Sequence, residues 1–288
     1  MATVTEHPSE DSQKVENIAL LPLFREEAKS PAMICHSMDI IKTNVEFLNP
    51  GQIPVIAFDQ PLFALAKTIQ WNWPNTYGEE KFVIMMGGLH IEMAAWKTLG
   101  NWLENCGWTP LLVDANFCTS GKADSFLNAS HVSRTRYAHQ VTACCLFILM
   151  HKAYQEFCQS LSDTDICLSF EEWRSNKAAT SPHFKFRAIT LDLELCILNF
   201  VPSLCQGNFK LYINNLIKIA PLCFTLNHHH YARWLPIHIR DMVALQNACP
   251  AVAHEFENGH FVVKKSVRAF SEIPLDHAHE QNNKCERR

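Results

Sequence analysis

The chain lacks a strong excess of charge of either sign. Its 25 lysines and arginines nearly balance 29 aspartates and glutamates, which leaves a net charge of −4 and an isoelectric point near 6.4. Because no global positive field surrounds such a protein, binding to nucleic acid needs a local basic patch or a partner segment. The charge therefore excludes a uniformly basic nucleic-acid-binding protein and leaves other partners open.

The chain also lacks the marks of a secreted or membrane protein. Its twelve cysteines form no Cys-x-x-Cys pair, and Met1–Glu16 is polar rather than signal-like. The run Val141–Met150 is too short to cross a bilayer, and Ile189–Val201 carries Asp192 and Glu194. We therefore expect no membrane span and an intracellular protein, nuclear or cytoplasmic, with reduced thiols.

Two short apolar runs each end on a polar residue, namely Ile53–Asp59 and Phe82–His90. The segment between them, Leu62–Trp71, has helical spacing and helix-forming residues, which predicts a βαβ unit with two parallel strands. Asp59 and His90 then share the carboxyl edge of the sheet, where ligands and catalytic groups collect. The alternative for Asp59 is a helix N-cap, and the alternative for His90 is a histidine of the core.

From Glu92 to about Ala253 the apolar spacing is helical, with proline and glycine at the breaks. One run, Leu191–Val201, is apolar on nearly every side and predicts a central helix in which Asp192 and Glu194 pair with arginines. The predicted helices cover Ile91–Asn105, Ser125–Ser160, Phe184–Leu204, Phe209–Ile219 and Tyr231–Gln246, with breaks near Gly107–Pro110, Ser181–Pro182, Pro221 and Pro250.

Strand-like sequence returns at His260–Lys265 and Val267–Phe270, which predicts a small hairpin. A helix follows Pro274, and its Asp276 and Glu280, four residues apart, lie on one face. A carboxylate at a strand end together with one on a later helix is an arrangement that holds magnesium. Asp59 and Glu280 are therefore the candidate metal ligands and catalytic residues.

This order of parts resembles the RNase H-like DDE transposases with a helical insertion, of the hAT and Mutator-like groups. The resemblance rests on Asp59 after a strand, on Gly-Gly-Leu-His ending at His90, and on Glu-x-x-Asn from Glu280 to Asn283. The phrases Asn-His-His-His-Tyr-Ala-Arg-Trp and His-Glu-Gln-Asn-Asn also resemble transposon-like proteins of invertebrate and fish genomes. The resemblance implies a magnesium site at Asp59 and Glu280, with His90, Asp276 and Asn283 in support.

The chain departs from the transposase pattern in one decisive place. Residues 1–50 offer no strand that carries a first catalytic Asp, and Asp39 lies in a predicted helix, Met33–Lys42. In addition, Gly88 stands where the family often has Cys or Asp. A site without one of three carboxylates binds magnesium weakly, so the resemblance implies a truncated, transposase-like protein without catalytic activity.

The sequence thus predicts an α/β fold that is predominantly helical, with a partial RNase H-like sheet interrupted by an all-α insertion. Missing strands would leave an uncovered sheet edge, which predicts a protein partner or a homo-oligomer. The predicted parts are a disordered tail (1–16), the first half of the core (17–92), the helical insertion (93–257), the return to the core (258–284) and a tail (285–288).

Three other interpretations remain open. A helical scaffold would use Ser125–Ser160 and Phe184–Leu204 for binding or dimerisation. Cations lie beside aromatics in Ser133–His139 and Tyr231–Trp234, as in patches that contact DNA, although ordinary helix surface has the same composition. The third interpretation is a zinc hydrolase that uses His90, Glu92, His277 and His279, although His277 and His279 lack the four-residue spacing that places two ligands on one helix face. His228, His229 and His230 also resemble a metal cluster, but neighbours in sequence point in different directions.

Overall fold

The computed structural model describes residue 27 and residues 29–162 and 166–286, without the side chains of 283–286. The predicted tail at 1–16 therefore lies outside the described residues. The strands are β1 (Val55–Phe58), β2 (Val83–Met86), β3 (Val262–Lys264) and β4 (Glu272–Pro274). The helices are α1 (Pro31–Leu48), α2 (Gln60–Asn72), α3 (Pro74–Tyr77), α4 (Gly88–Leu103), α5 (Trp108–Asp114), α6 (Ser120–Leu127), α7 (Val132–Gln159), α8 (Phe170–Thr180), α9 (Pro182–Cys205), α10 (Phe209–Thr225), α11 (His229–Ala248), α12 (Pro250–Glu257) and α13 (Leu275–Glu286).

The predicted βαβ unit is confirmed. Strands β1 and β2 run parallel with Val55 opposite Val83 and Phe58 opposite Met86, and α2 follows β1 directly. All four residues of β2 are buried, as expected for a parallel strand covered on both faces. The protein is a predominantly helical α/β fold, and α4 begins two residues after β2 at the same edge where β1 gives way to α2.

The described strands form two separate two-stranded sheets, one parallel and one antiparallel. In the second sheet Val263 pairs with Ile273, so the hairpin is present but its second strand lies at Glu272–Pro274. The prediction of a strand at Val267–Phe270 was wrong, because this segment is the turn. Phe270 has a φ of 59°, a left-handed conformation that a strand does not contain.

Several helix boundaries differ from the predicted ones. The predicted helix Ser125–Ser160 is two helices, α6 and α7, separated at Ala129, whose φ is 51°. The break predicted at Pro221 is absent, because α10 continues through that proline to Thr225. Pro250, by contrast, opens α12 at its first turn, where a missing N–H costs nothing. The short helices α5, α8 and α12 were not predicted.

The chain divides into two compact units. One contains the residues up to Ala94 and from Phe200 onward, and the other contains Ala95–Asn199, so the boundaries fall inside α4 and α9. All four strands belong to the first unit, together with α10, α11 and α12. An aromatic cluster of Tyr212, Phe209, Phe256 and Phe261 has ring centroids 5.2–6.3 Å apart and packs in its core.

The second unit is all helical and has its own apolar core. Trp173 of α8 is buried against α7 and α9, with Met150 and Leu191 in the same cluster. Asp192 pairs with Arg174 at 2.7 Å, as predicted for this helix. Glu194 does not pair with an arginine, because its buried carboxylate lies 2.9 Å from Nδ1 of the fully buried His139 instead.

Among the described helices, α9 alone is long and apolar enough to cross a membrane by length and composition. Half of its most apolar stretch is buried inside the protein, and it carries the buried Glu194. A core helix of a soluble protein has the same properties, so the prediction of no membrane span stays a prediction.

Candidate functional site

Asp59 lies directly after β1 and caps α2. Its Oδ1 accepts a hydrogen bond of 3.1 Å from the backbone N–H of Leu62, which satisfies one free donor in the first turn of the helix. The N-cap interpretation of Asp59 is therefore confirmed. Because the cap residue ends a parallel strand, its carboxylate also lies at the carboxyl edge of the sheet, where the sequence placed it.

Asp276, in the first turn of α13, closes the start of α4. Its two carboxylate oxygens accept hydrogen bonds from the backbone N–H groups of Leu89 at 3.2 Å and His90 at 3.1 Å. Oδ2 also lies 2.8 Å from Nδ1 of His90. One carboxylate 186 residues away thus caps the helix and fixes the orientation of the imidazole.

Gly87 allows this close approach. A Cβ on Gly87 would overlap with the carboxylate of Asp276. A Cβ on Gly88 would lie 3.0 Å from the ring of Pro274. The two glycines after β2 therefore let the start of α13 reach the end of the strand, and they provide a structural reason for the Gly-Gly-Leu-His sequence.

His90 is surrounded by three carboxylates. Its Nδ1 faces Asp276, and its Nε2 lies 3.9 Å from Oε1 of Glu280, one turn further along α13. The hydrogen bond with Asp276 raises the pKa of His90, burial opposes this, and the charges of Asp276, Glu280 and Asp59 add to the increase. Of the residues predicted from the sequence, Asp276 contacts His90, Glu280 lies near its Nε2, and Asp59 acts on it through its charge.

Asp276 is the most strongly held of these groups. Its side chain is 7% exposed, against 33% for His90 and 39% for Glu280. Burial alone would raise the pKa of Asp276, but the hydrogen bonds from His90 and from the two backbone N–H groups lower it. Asp276 is therefore charged at neutral pH and acts as a positioning group for His90.

Tyr231 of α11 completes the cluster. Its hydroxyl donates a hydrogen bond of 3.0 Å to the backbone oxygen of His90. Burial raises its pKa, and the charges of Asp59 and Asp276 raise it further, so it stays a neutral donor. The four carboxylate and imidazole groups and Tyr231 are called the His90 cluster below.

The donor set of the His90 cluster fits a resident metal ion only in part. Within the described part of the chain, no group of three or more His, Cys, Asp or Glu side chains is arranged to hold a metal ion. Asp276 uses both oxygens on α4, whereas Glu280 lies 3.9 Å from Nε2 of His90 and Asp59 acts on His90 through its charge. Two carboxylates with water in the other positions are a donor set that Mg²⁺ accepts.

The remaining candidates lie elsewhere or are already engaged. Asp39 of α1 accepts a hydrogen bond of 3.2 Å from Tyr77, which gives it a separate role. His277 lies 2.8 Å from the side chain of Gln281 on its own helix. The ring of His228 contacts the ring of Tyr231 at 5.6 Å. The side chain of Asn283 lies outside the described residues.

A second polar cluster in the same unit surrounds Lys67 of α2. Its side chain is 2% exposed, and its ammonium contacts Gln70 at 2.7 Å, Glu79 at 2.6 Å and Asp241 at 2.9 Å. The ammonium donates hydrogen bonds to Gln70 and Glu79 and forms an ion pair with Asp241, and Arg240 pairs with both carboxylates. The Lys67 cluster therefore joins α2 to α11 by charge pairing.

Comparison with protein-family models finds one family that matches nearly the whole chain. A family model described as a domain of unknown function, DUF8702, matches residues 1–195 and 159–287. The chain belongs to the DUF8702 family. No curated protein and no solved structure matches it.

In this DUF8702 chain the sequence did not predict Tyr231 as a member of the His90 cluster, nor Gly87 as the residue that makes room for Asp276. Gly87 belongs to the phrase that identified His90, but an isolated Gly-Gly pair does not indicate which side chain will approach it. The sequence indicates Tyr231 only as an aromatic residue beside Arg233 and Trp234, in the interpretation of this segment as a DNA-binding patch. Its contact with His90 spans 141 residues, and no local pattern contains such a contact.

Proposed function

We propose that this DUF8702 protein derives from a metal-dependent, RNase H-like transposase and retains two carboxylates of its site without catalytic turnover. The single observation that supports this is that Oε1 of Glu280 lies 3.9 Å from Nε2 of His90, and that the charges of Glu280 and Asp59 both raise the pKa of this imidazole at the carboxyl edge of β1 and β2. These residues come from three distant segments, and the transposase resemblance named them in the same roles.

Asp59 and Glu280 would hold Mg²⁺, and the ion would supply charge stabilisation to a phosphate oxygen when bound. His90 stays oriented by Asp276 through Nδ1, so that Nε2 points toward Glu280. Asp276 takes no part in the metal site because α4 uses both of its oxygens. Two carboxylates instead of three support weak affinity and no cleavage.

Calorimetric titration of Mg²⁺ and Mn²⁺, run beside a plasmid-nicking assay, tests this proposal. We expect weak binding that Asp59→Asn and Glu280→Gln each abolish, with no nicking. Asparagine still caps a helix, so the first variant removes charge while keeping the fold. Glu257→Gln, an exposed carboxylate in the same unit, is the matched control. Unchanged binding in both site variants would refute the proposed site, and nicking would refute the lack of turnover.

DNA contact is the part of this proposal that concerns partners. Trp234 of α11 stacks on Trp71 of α2 with ring centroids 6.0 Å apart. Trp71 is 45% exposed, and Arg233, the residue before Trp234, is exposed as well. Exposed aromatics next to cations support stacking of unpaired bases. In the other patch, Ser133–His139, His139 is fully buried and is not available to DNA. Loss of single-stranded DNA binding in Trp71→Ala, but not in Tyr137→Ala, is the expected result.

A helical interaction protein is the second candidate, and one surface favours it. Helix α7 exposes four large apolar side chains, Tyr137 at 60%, Phe147 at 45%, Ile148 at 62% and Leu149 at 64%. Exposed apolar groups on one helix are typical of a contact between proteins. If α7 mediates dimerisation, light scattering will show a dimer that Ile148→Glu dissociates, whereas Leu111→Glu, an exposed leucine of α5, leaves the dimer intact.

A further inference from the structure

Two thiols meet within the unit Ala95–Asn199, which contains no residue of the His90 cluster. Cys158 lies in the last turn of α7, and Cys167 lies three residues before α8. Their Sγ atoms are 3.6 Å apart. Cys167 is exposed and Cys158 is half-buried, so small solutes can reach the pair.

The neighbouring residues hold the two thiols together. The hydroxyl of Tyr154, one turn before Cys158, donates a hydrogen bond of 2.8 Å to the backbone oxygen of Leu168, next to Cys167. The ring of Tyr154 also packs against Phe170 at 5.3 Å and Trp173 at 5.4 Å. The segment before α8 is thus fixed on α7 by contacts that do not involve sulfur, and the short distance between the thiols follows from the packing.

The hydrogen bond between the two sulfurs also affects protonation. It raises the pKa of Cys167, and burial raises it further. The hydrogen bond with Cys158 raises the pKa of Tyr154 to about 12, so this hydroxyl remains a donor near neutral pH. The raised pKa lowers the thiolate fraction of Cys167 near neutral pH, so exposure rather than acidity makes Cys167 the first of the two thiols that a disulfide reagent meets.

We propose that Cys158 and Cys167 are a modification site at which a low-molecular-weight disulfide of the glutathione class reversibly oxidises the pair. The Cys167 thiolate attacks one sulfur of the small disulfide, which forms a mixed disulfide and releases one small thiol that takes up the proton. The Cys158 thiolate then attacks the sulfur of Cys167 and expels the second small thiol. Two protein thiols become one protein disulfide while one small disulfide becomes two thiols.

The disulfide joins the end of α7 to the segment that begins α8. It closes a loop of about ten residues, which limits the freedom of these two ends when the local structure opens. In a reducing compartment such bonds are transient and report redox state. The inference is independent of the proposed function, because none of its residues belongs to the His90 cluster.

Equilibration of the full chain with reduced and oxidised glutathione, followed by alkylation and peptide mass mapping, tests the proposal. We expect the peptides of Cys158 and Cys167 to be linked with the loss of two hydrogens, about 2 Da. Reduction with excess glutathione should restore both thiols. Cys144, which is exposed on the same helix, serves as the internal control and should remain outside any intramolecular bond.

The single variants separate the two steps. In Cys158→Ser the mixed disulfide with glutathione should accumulate at Cys167, because no resolving thiol remains, whereas Cys144→Ser should oxidise like the wild type. Alkylation of both Cys158 and Cys167 in the wild type under excess oxidised glutathione would overturn the proposal. So would glutathione adducts on both residues without an internal bond. The wild-type map decides the matter even where a variant fails to fold.

Discussion

Asp276→Asn is the most informative substitution in the His90 cluster. It keeps the size of the side chain but removes the charge that the N-terminus of α4 and His90 both contact. The amide offers one acceptor oxygen where the carboxylate offers two, so its NH₂ group must face a backbone N–H or the imidazole. We expect the start of α4 to lose stability although no atom is deleted from the core.

The magnitude follows from two contributions. A negative charge at a partly buried helix N-terminus stabilises a protein by up to about 2 kcal/mol. A hydrogen bond to a charged group contributes about 1.5–3 kcal/mol, and the lower part of that range applies here because His90 is one-third exposed. Since the asparagine retains part of the helix cap, we expect a total loss of about 2–3 kcal/mol in the free energy of unfolding.

The loss depends on pH in a defined direction. The pKa of His90 is raised above its ordinary 6.5, so its contribution is complete below that pH and disappears as pH rises through the folded-state value. The pKa of Asp276 is lowered below its ordinary 3.8, so its contribution is complete above that pH and disappears as pH falls through the folded-state value. The difference between wild type and variant is therefore largest between about pH 4 and 6.5.

Urea unfolding at several pH values measures this difference, and hydrogen exchange at the amides of Leu89 and His90 locates it. Both amides donate to Asp276, so they should exchange faster in the variant at every pH above 4. Glu257→Gln, which removes an exposed carboxylate, is the control. A variant as stable as this control, with slow exchange at Leu89 and His90, would refute the assignment of Asp276 as the cap of α4.

Gly87→Ala should destabilise the first unit by about 1–3 kcal/mol, because its Cβ overlaps with the carboxylate of Asp276; urea unfolding measures this, and the effect should shrink in an Asp276→Ala background. Lys67→Met should cost about 1–3 kcal/mol, because Oδ2 of the half-buried Asp241 loses its cation while Oδ1 keeps Arg240, and adding Asp241→Leu should recover part of that loss in the same assay. Tyr212→Phe removes a hydrogen bond of 2.8 Å to Nε2 of the fully buried His238, which burial keeps neutral with a pKa of about 3, so thermal unfolding should show a loss of about 1–3 kcal/mol.

The sequence predicted those helices and strands whose apolar pattern or capping residue lies within a few neighbouring positions. The run Ile53–Phe58 followed by Asp59 specified both a strand and a helix cap, because apolar β-formers and an N-capping side chain act within a few residues. The same reasoning wrongly predicted a break in α10, since Pro221 remains inside this helix. A helix packed by many apolar contacts tolerates the loss of one hydrogen bond, and no sequence window contains that compensation.

The candidate site was partly predictable for a related reason. Asp59, His90, Asp276 and Glu280 were each identified from short motifs, but the role of Asp276 depends on a contact across 187 residues. The sequence placed it as a helical neighbour of Glu280, whereas the structure makes it the cap of another helix. Likewise, Glu194 was expected to pair with an arginine, and the choice of His139 follows from packing between Trp96 and Trp108 at 4.5 and 4.8 Å.

The cap of α4 has a consequence for the order in which the protein can be made. During synthesis, residues 88–103 are added to the chain long before Asp276. The backbone N–H groups in the first turn of this helix therefore lack their acceptor until Asp276 is present. The unit Ala95–Asn199 is continuous in sequence and ends before Asp276 is added, so all of its residues are present in that interval. The sheet edge, by contrast, must wait for the last helix to arrive, and the same event brings Glu280 to His90. The His90 cluster and the cap of α4 therefore form in the same step. A nascent chain that is stalled before α13 has neither of them.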